Sequence, residues 1–241
     1  MTKFYSKLSI VVARHGETEY NKPPVRLQGQ LDVPLNDTGK LQARALGGRL
    51  STEEFDVVYC SDLSRTKQTL EPLLEVKPNT RVVYEPRLRE RDVGSLTDML
   101  WSEAKTTIDE AGKTFEEYVA LSGESAEQFY SRVCEFWDTL VKTYLTNDKQ
   151  EDGDELRVLI ITHGGVIANL MKYLKKQLHY ENTNPQAERQ ISKNTAVYKI
   201  QVDRGAGSIL LNNCTAHLDV QPSEHYSAKL LSDFAQKMNY Y

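Results

Sequence analysis

The chain has 241 residues, a formal net charge of -4 and a sequence pI near 5.8, which excludes a general binder of nucleic acid or of acidic membranes. With 39% hydrophobic and 27% charged residues it can fill a core, so wholesale disorder is excluded, and the length suits one sizeable α/β domain better than two. Any anion site on such a chain must be a local concentration of positive charge. The three cysteines, Cys60, Cys134 and Cys214, show no CxxC pair and no Cys/His zinc spacing. They predict free thiols in a reducing compartment. The opening "MTKFYSKLSIVVARHG" has an apolar run too short for a signal peptide, and no stretch nears the roughly 20 apolar residues that span a bilayer. The expectation is a soluble, cytoplasmic protein that takes neither nucleic acid nor membrane as a partner.

In chain order, "LSIVVA" (8–13) reads as a buried strand that ends in Arg14, His15 and Gly16. After Asn36-Asp37-Thr38, a capping-type start, Leu41, Ala45 and Leu46 recur at helical spacing. "DVVYC" (56–60) is the second strand, followed by "SRTKQTLEPLL", which opens as a helix near Arg65. "RVVYE" (81–85) is the third and leads into "RLRERDVG" with Glu90. If "RLRER" is extended, Glu90 points opposite to Arg89 and Arg91. The strongest helix is "ESAEQFYSRVCEFWDTLVKTYL". Ser125 and Gln128 form a capping box there, and Phe129, Val133, Phe136, Trp137, Leu140 and Tyr144 form one stripe, read as core rather than a binding face.

A polar, acid-rich loop (146–155) precedes the fourth strand, "RVLIIT" (157–162), which ends in "THGG" where another helix begins. "AVYKIQV" (196–202) and "SILLNN" (208–213) complete the strands. This alternation predicts a single α/β domain over 1–241, a mostly parallel sheet flanked by helices on both faces. The tail, 215–241, is weakly helical and aromatic and is expected to pack on that domain.

In parallel sheets ligands gather beyond the carboxyl ends of the strands. Four such ends supply Arg14 with His15, Arg65, Glu90 and His163, and two helix N-termini there offer backbone N–H groups to an anion. Taken singly, each residue has an ordinary structural reading: a buried histidine, a surface arginine, half of an exposed ion pair. Their coincidence on one rim favours a site. The remaining histidines, His179, His217 and His225, have no ligand spacing and read as structural or surface.

"RHGETEYN" with the later "THGG" resembles the histidine phosphatase superfamily, the phosphoglycerate-mutase-like fold. "LQGQLDVPLNDTGKLQA", "SDLSRTKQT", "LRERDVG" and "GES" follow in the family's order, over roughly residues 8–200. Within the family the chain is most similar to the TIGAR-like branch, akin to the fructose-2,6-bisphosphatase domain. The resemblance implies a phosphatase acting on a small phosphorylated metabolite, a sugar or glycerate phosphoester. His15 would be the nucleophile, suited by the ordinary imidazole pKa near 6.5. Arg14 and Arg65 would grip the phosphoryl oxygens with planar forks. His163 would add a hydrogen bond to those oxygens, and Asn21, Gln28, Gly29 and Gly164 would surround the phosphate. Glu90 would protonate the leaving oxygen and then accept a proton from water. Neither a metal nor another cofactor is expected.

Two departures bear on the branch and the activity. Thr97 and Asp98 stand where many relatives read Glu-Gly. Residues 98–122 contain no arginine and no proline, unlike the insertion with which mutases of the family hold a second phosphate. A phosphoglycerate mutase is therefore disfavoured, and a phosphate-binding module without turnover would have no use for the proton donor Glu90. Lys22, Arg26, Lys105 and Lys113 lie in loops expected near the cleft mouth and read as solvated surface charges, with none assigned to a second phosphate.

Overall fold

β1 (Lys7–Arg14) and β4 (Glu155–Thr162) run parallel and in register at the middle of the sheet in a computed structural model that describes residues 4–145, 155–183 and 192–219. The sheet holds seven strands among the described residues, in the order β3-β2-β4-β1-β6-β7-β5. β2 (Val57–Cys60) pairs parallel with β4 and with β3 (Val82–Tyr84). β6 (Val197–Asp203) is antiparallel to β1 and to β7 (Ala206–Cys214), and β5 (Glu181–Asn182) lies parallel to β7. Two-residue β5 carries no alternation to read and has no counterpart in the sequence analysis. The loop expected at 146–155 falls almost wholly outside the described residues, as does the tail beyond Asp219.

The central strands alternate their side chains between two cores, as strand geometry requires. Leu8, Ile10 and Val12 of β1 join α5 (Ala126–Tyr144) and α6 (Gly164–Lys176) on one face. Val11 and Ala13 join α1 (Asp37–Leu50) and α2 (Ser64–Val76) on the other. The continuous apolar runs of β1 and β4 are thus explained by burial on both faces. All six stripe residues of α5 are buried, each worth about 2 kcal/mol relative to exposure. Its capping box closes both ways, Gln128 N–H to Ser125 Oγ at 3.1 Å and Ser125 N–H to Gln128 Oε1 at 2.8 Å. In α1 the buried face is Ala43, Ala45, Leu46 and Leu50, whereas Leu41 is exposed, and Gly47 lies against Pro72 and Leu73 of α2.

Between β3 and α5 the chain builds a small third core. Val93, Leu96, Ala104, Ile108 and Val119 cluster with Leu27, Met99 and Phe115, drawing α3 (Trp101–Glu110) and α4 (Phe115–Val119) over the 20–30 loop. Gly94, at φ +56, lets this cap sit directly against Ser122 and Gly123. Among the described residues, no helix is long and apolar enough to cross a membrane.

Candidate active site

The register of β1 and β4 pairs Arg14 with Thr162, so the residues that follow, His15 and His163, leave the sheet side by side. Their ring centroids are 5.1 Å apart. From here α1 departs on one face of the sheet and α6 on the other, which opens a crevice at the strand ends. His15 N–H donates to the Thr162 carbonyl at 2.9 Å, and Thr162 Oγ1 donates to Leu88 O at 2.8 Å, tying the segment that carries Glu90 to the same edge.

His15 is buried, with Nδ1 2.7 Å from the Gly16 carbonyl oxygen. A carbonyl only accepts, so Nδ1 carries the proton and Nε2 keeps a free lone pair. Burial, then the charges of Arg14 and Arg65, hold the pKa of His15 well below the usual 6.5. The ring is a neutral base at neutral pH.

Arg65, at the start of α2, is 1% exposed. Its Nη1 donates to Leu31 O at 2.8 Å, Nη2 to Gly29 O at 2.9 Å, and Nε to His163 Nδ1 at 3.2 Å. A guanidinium has five N–H groups, so two remain to grip an anion. Burial lowers its pKa to about 10, with Glu90 and Asp32 opposing, and it stays charged at neutral pH. Arg14 Nη1 donates to the Ser192 carbonyl, while its Nε is buried without a hydrogen-bond partner among the described residues. That orphan donor on a fixed guanidinium suits an oxyanion. Gly164 lies beside it, and a Cβ there would stand 3.4 Å from Arg14 Nε.

His163 is fully buried beside His15, but both its nitrogens have protein partners: Nδ1 meets Arg65, and Nε2 lies 2.8 Å from Ser61 Oγ. Glu90 receives Arg91 N–H at 2.9 Å and Gly165 N–H at 3.0 Å. Its charge acts on both arginines, raising their pKa values against burial. Arg89 pairs instead with Asp62, and Arg91 with Glu116 and the Glu124 carbonyl.

Asn21 Oδ1 collects three donors: Thr18 N–H at 3.1 Å, Thr18 Oγ1 at 3.2 Å and Asn194 Nδ2 at 3.4 Å. With its oxygen so held, the Asn21 amide NH2 is turned away from them and available to a ligand. Gln28 Oε1 lies 3.1 Å from Thr18 Oγ1, and Gly29, at φ +49, turns its carbonyl to Arg65. The helix N-termini are less open than the sequence suggests, because each has recruited a carboxylate. Asp32 accepts from Ser64 N–H at 2.6 Å in front of α2, and Glu90 accepts from Gly165 in front of α6. Neither helix has a side-chain cap of its own.

The four loop cations near the cleft mouth are engaged or exposed. Arg26 donates to Asp98, Lys22 pairs with Glu19, and Lys105 and Lys113 face solvent. His217 proves buried and structural, and His179 is exposed; His225 lies outside the described residues. No local pattern in the sequence marks Asn194, which donates to His15 O at 3.1 Å as well as to Asn21. Nor does one mark Ser61, Asp32 or Thr18. Among the described residues, no group of three or more His, Cys, Asp or Glu side chains converges as metal ligands would.

A family model, the histidine phosphatase superfamily (branch 1), matches residues 10–215. A protein of Schizosaccharomyces pombe named a probable phosphatase is 32% identical over 214 residues, 88% of this chain and 96% of that one. A metal-independent phosphoserine phosphatase of Arabidopsis thaliana is 37% identical over 66% of this chain and 65% of its own length. The fructose-2,6-bisphosphatase TIGAR of Xenopus tropicalis is 29% identical, covering 80% and 85%. Among solved structures, YhfR of Bacillus stearothermophilus superposes with a TM-score of 0.72 at 26% identity, covering 88% of this chain and 99% of that one. A phosphoglycerate mutase of Bacillus anthracis shares the fold at TM-score 0.70 and 20% identity, over 89% and 96%. The rim that brings His15, His163, the buried Arg65 and the half-buried Arg14 together, and the match across most of the sequence, lead to one conclusion: this chain belongs to the histidine phosphatase superfamily, branch 1, and is a phosphatase.

Proposed function

We propose that the enzyme hydrolyses a small sugar or glycerate phosphoester, of the fructose-2,6-bisphosphate type, through a phosphohistidine on His15 and without a metal. The observation that carries this reading is the hydrogen bond from His15 Nδ1 to Gly16 O, which leaves Nε2 as a buried lone pair beside two arginines.

In the first step, Nε2 attacks phosphorus as the bond to the leaving oxygen breaks in line, and that oxygen takes a proton from Glu90, which enters the step as the neutral acid after its carboxylate has taken up a proton with the bound substrate. Charge spreads over three equatorial oxygens, where positive charge and positioning supply most of the catalysis. The orphan Arg14 Nε–H, the two remaining N–H groups of Arg65 and the Asn21 amide are the donors this chain offers them. In the second step, water attacks the phosphohistidine and gives a proton to the Glu90 carboxylate, which releases inorganic phosphate and restores both groups.

Phosphate release from fructose-2,6-bisphosphate, 2,3-bisphosphoglycerate, phosphoglycolate, phosphoserine and an aryl phosphate, in excess chelator, tests this reading. Release from sugar or glycerate esters, with acid-labile labelling that disappears in His15→Ala, supports it. Loss of activity to chelator with recovery on adding a divalent cation defeats metal independence. Transfer between glycerates without net release would make the protein a mutase, and binding without turnover a phosphate-binding module.

A further inference from the structure

We infer that Arg132 of α5 is a positioning residue: it holds the carbonyls of the 87–90 segment so that the Glu90 carboxylate rests against the first turn of α6. Its effect on activity rests on the proposed proton-transfer role of Glu90; the placement of the carboxylate does not.

The segment that carries Glu90 leaves β3 through a short turn, Pro86–Leu88, and lies outside the sheet, so its carbonyls need donors other than a strand ladder. Arg132 supplies three. Its Nη1 donates to Arg87 O at 2.6 Å and to Arg89 O at 2.9 Å, and its Nη2 to Glu90 O at 3.4 Å. The other edge of the guanidinium forms a bidentate pair with Glu124, Nε to Oε1 at 2.7 Å and Nη2 to Oε2 at 2.8 Å. A guanidinium has five N–H groups, and these contacts engage them all. Arg14 and Arg65 keep donors for an anion, whereas Arg132 has none left for substrate.

The guanidinium is fixed as well as saturated. Its side chain is 18% exposed, with Cζ over the Phe129 ring at 4.9 Å from the centroid. Glu124 N–H donates to Asp92 O at 2.9 Å, and the Glu124 carbonyl accepts from Arg91 Nε at 2.9 Å, so the clamp grips the chain on both sides of Glu90. Phe129 also backs Gly165, since a Cβ there would stand 3.1 Å from Phe129 Cε1. The side chain that holds the Glu90 backbone thus rests on the ring beside the N–H that the Glu90 carboxylate accepts.

The first readout is the Gly165 amide, which donates to Glu90 Oε2 in the open first turn of α6. In 1H–15N spectra of the full chain, with Glu90→Ala as reference, Arg132→Met should move the Gly165 cross-peak toward the reference. Its exchange with solvent should quicken by about tenfold or more. An unmoved cross-peak overturns the inference.

The second readout is the leaving group. A nitrophenolate is stable as an anion at neutral pH and departs without a proton, whereas a sugar or glycerate oxygen needs one. Arg132→Met should lower kcat/KM by about 30-fold or more on the best alkyl phosphate of the panel, and by less than about threefold on p-nitrophenyl phosphate. Glu90→Ala should show the same split. Equal losses in Arg132→Met beside a split in Glu90→Ala would mean general damage to the site and overturn the inference. If Arg132→Met does not fold, Arg132→Lys is read in the same way, because three donors without a fork keep the charge and lose the clamp. If Glu90→Ala shows no split, or wild type releases no phosphate, the proton-transfer reading of Glu90 fails. The Gly165 amide then still decides whether Arg132 places that carboxylate.

Discussion

Gly165 donates its backbone N–H to Glu90 Oε2 at 3.0 Å, and a Cβ on Gly165 would collide with the other carboxylate oxygen, Oε1. The second glycine of "THGG" therefore lets the Glu90 carboxylate sit directly on the first turn of α6. Gly165→Ala should displace Glu90 and lower kcat by about tenfold or more, since small misplacements near the chemistry are costly. Steady-state kinetics beside a thermal melt checks this, with kcat falling although the fold is retained; unchanged kcat would show that Glu90 tolerates the shift.

Asn194→Asp should raise KM by about tenfold, because it replaces the one amide NH2 that donates to both His15 O and Asn21 Oδ1 with a carboxylate oxygen that can only accept. The effect should shrink in an Asn21→Ala background, since part of it passes through Asn21. Full additivity of the two substitutions would disprove that route.

Arg65→Lys retains charge but cannot reproduce the contacts to His163, Leu31 and Gly29 while also gripping an anion. We expect a drop of about 100-fold or more in kcat/KM, measured on the preferred substrate. Near-normal turnover would mean that a point charge suffices.

Asp32→Ala removes the acceptor for Ser64 N–H and Ser64 Oγ in front of α2. It should cost about 1 kcal/mol in stability by urea unfolding, as lost helix caps do, and should lower activity through Arg65 one residue on. Asp32→Asn, which keeps an acceptor, should recover most of both losses.

Acid should destabilise the fold through its buried neutral histidines. Burial chiefly lowers His15 and His163 well below 6.5, and His217 to about 3, with Arg49 adding to the last. The unfolded chain binds these protons near pH 6.5 and the folded chain only at much lower pH, so stability rises with pH through that window. Equivalently, it is lost as pH falls below about 6.5, at a slope nearing 1.4 kcal/mol per pH unit for each histidine. Urea unfolding from pH 7 to pH 4 measures the slope, and His217→Gln should reduce it by one proton. The same shift predicts kcat/KM without a break at pH 6.5 from protonation of His15.

Much of the architecture was legible because burial leaves a periodic trace. Both faces of β1 and β4 are covered, so their runs are continuous, and the α5 stripe emerged residue for residue. Arg14, His15, Arg65, Glu90 and His163 could be placed on one rim because each follows a readable strand. Asn194 could not. It precedes β6, and β6 runs antiparallel to β1, so it reaches the rim from a strand's amino end. A reading that assumed parallel strands looked for site residues only after them. Asp32 and Ser61 were hidden for another reason: they act on neighbours through contacts between residues 32 and 64, or 61 and 163, that no local pattern records.

Local chemistry in the sequence by itself determined which strands would be buried, where the helices would start, and that two His-Gly ends and two arginines would be on offer to an anion. Only the tertiary structure decided where each proton resides. A tautomer depends on which fixed donor or acceptor faces each ring nitrogen: the backbone turn after β1 aims Gly16 O at His15 Nδ1, and packing across the sheet brings Arg65 and Ser61 to the two nitrogens of His163.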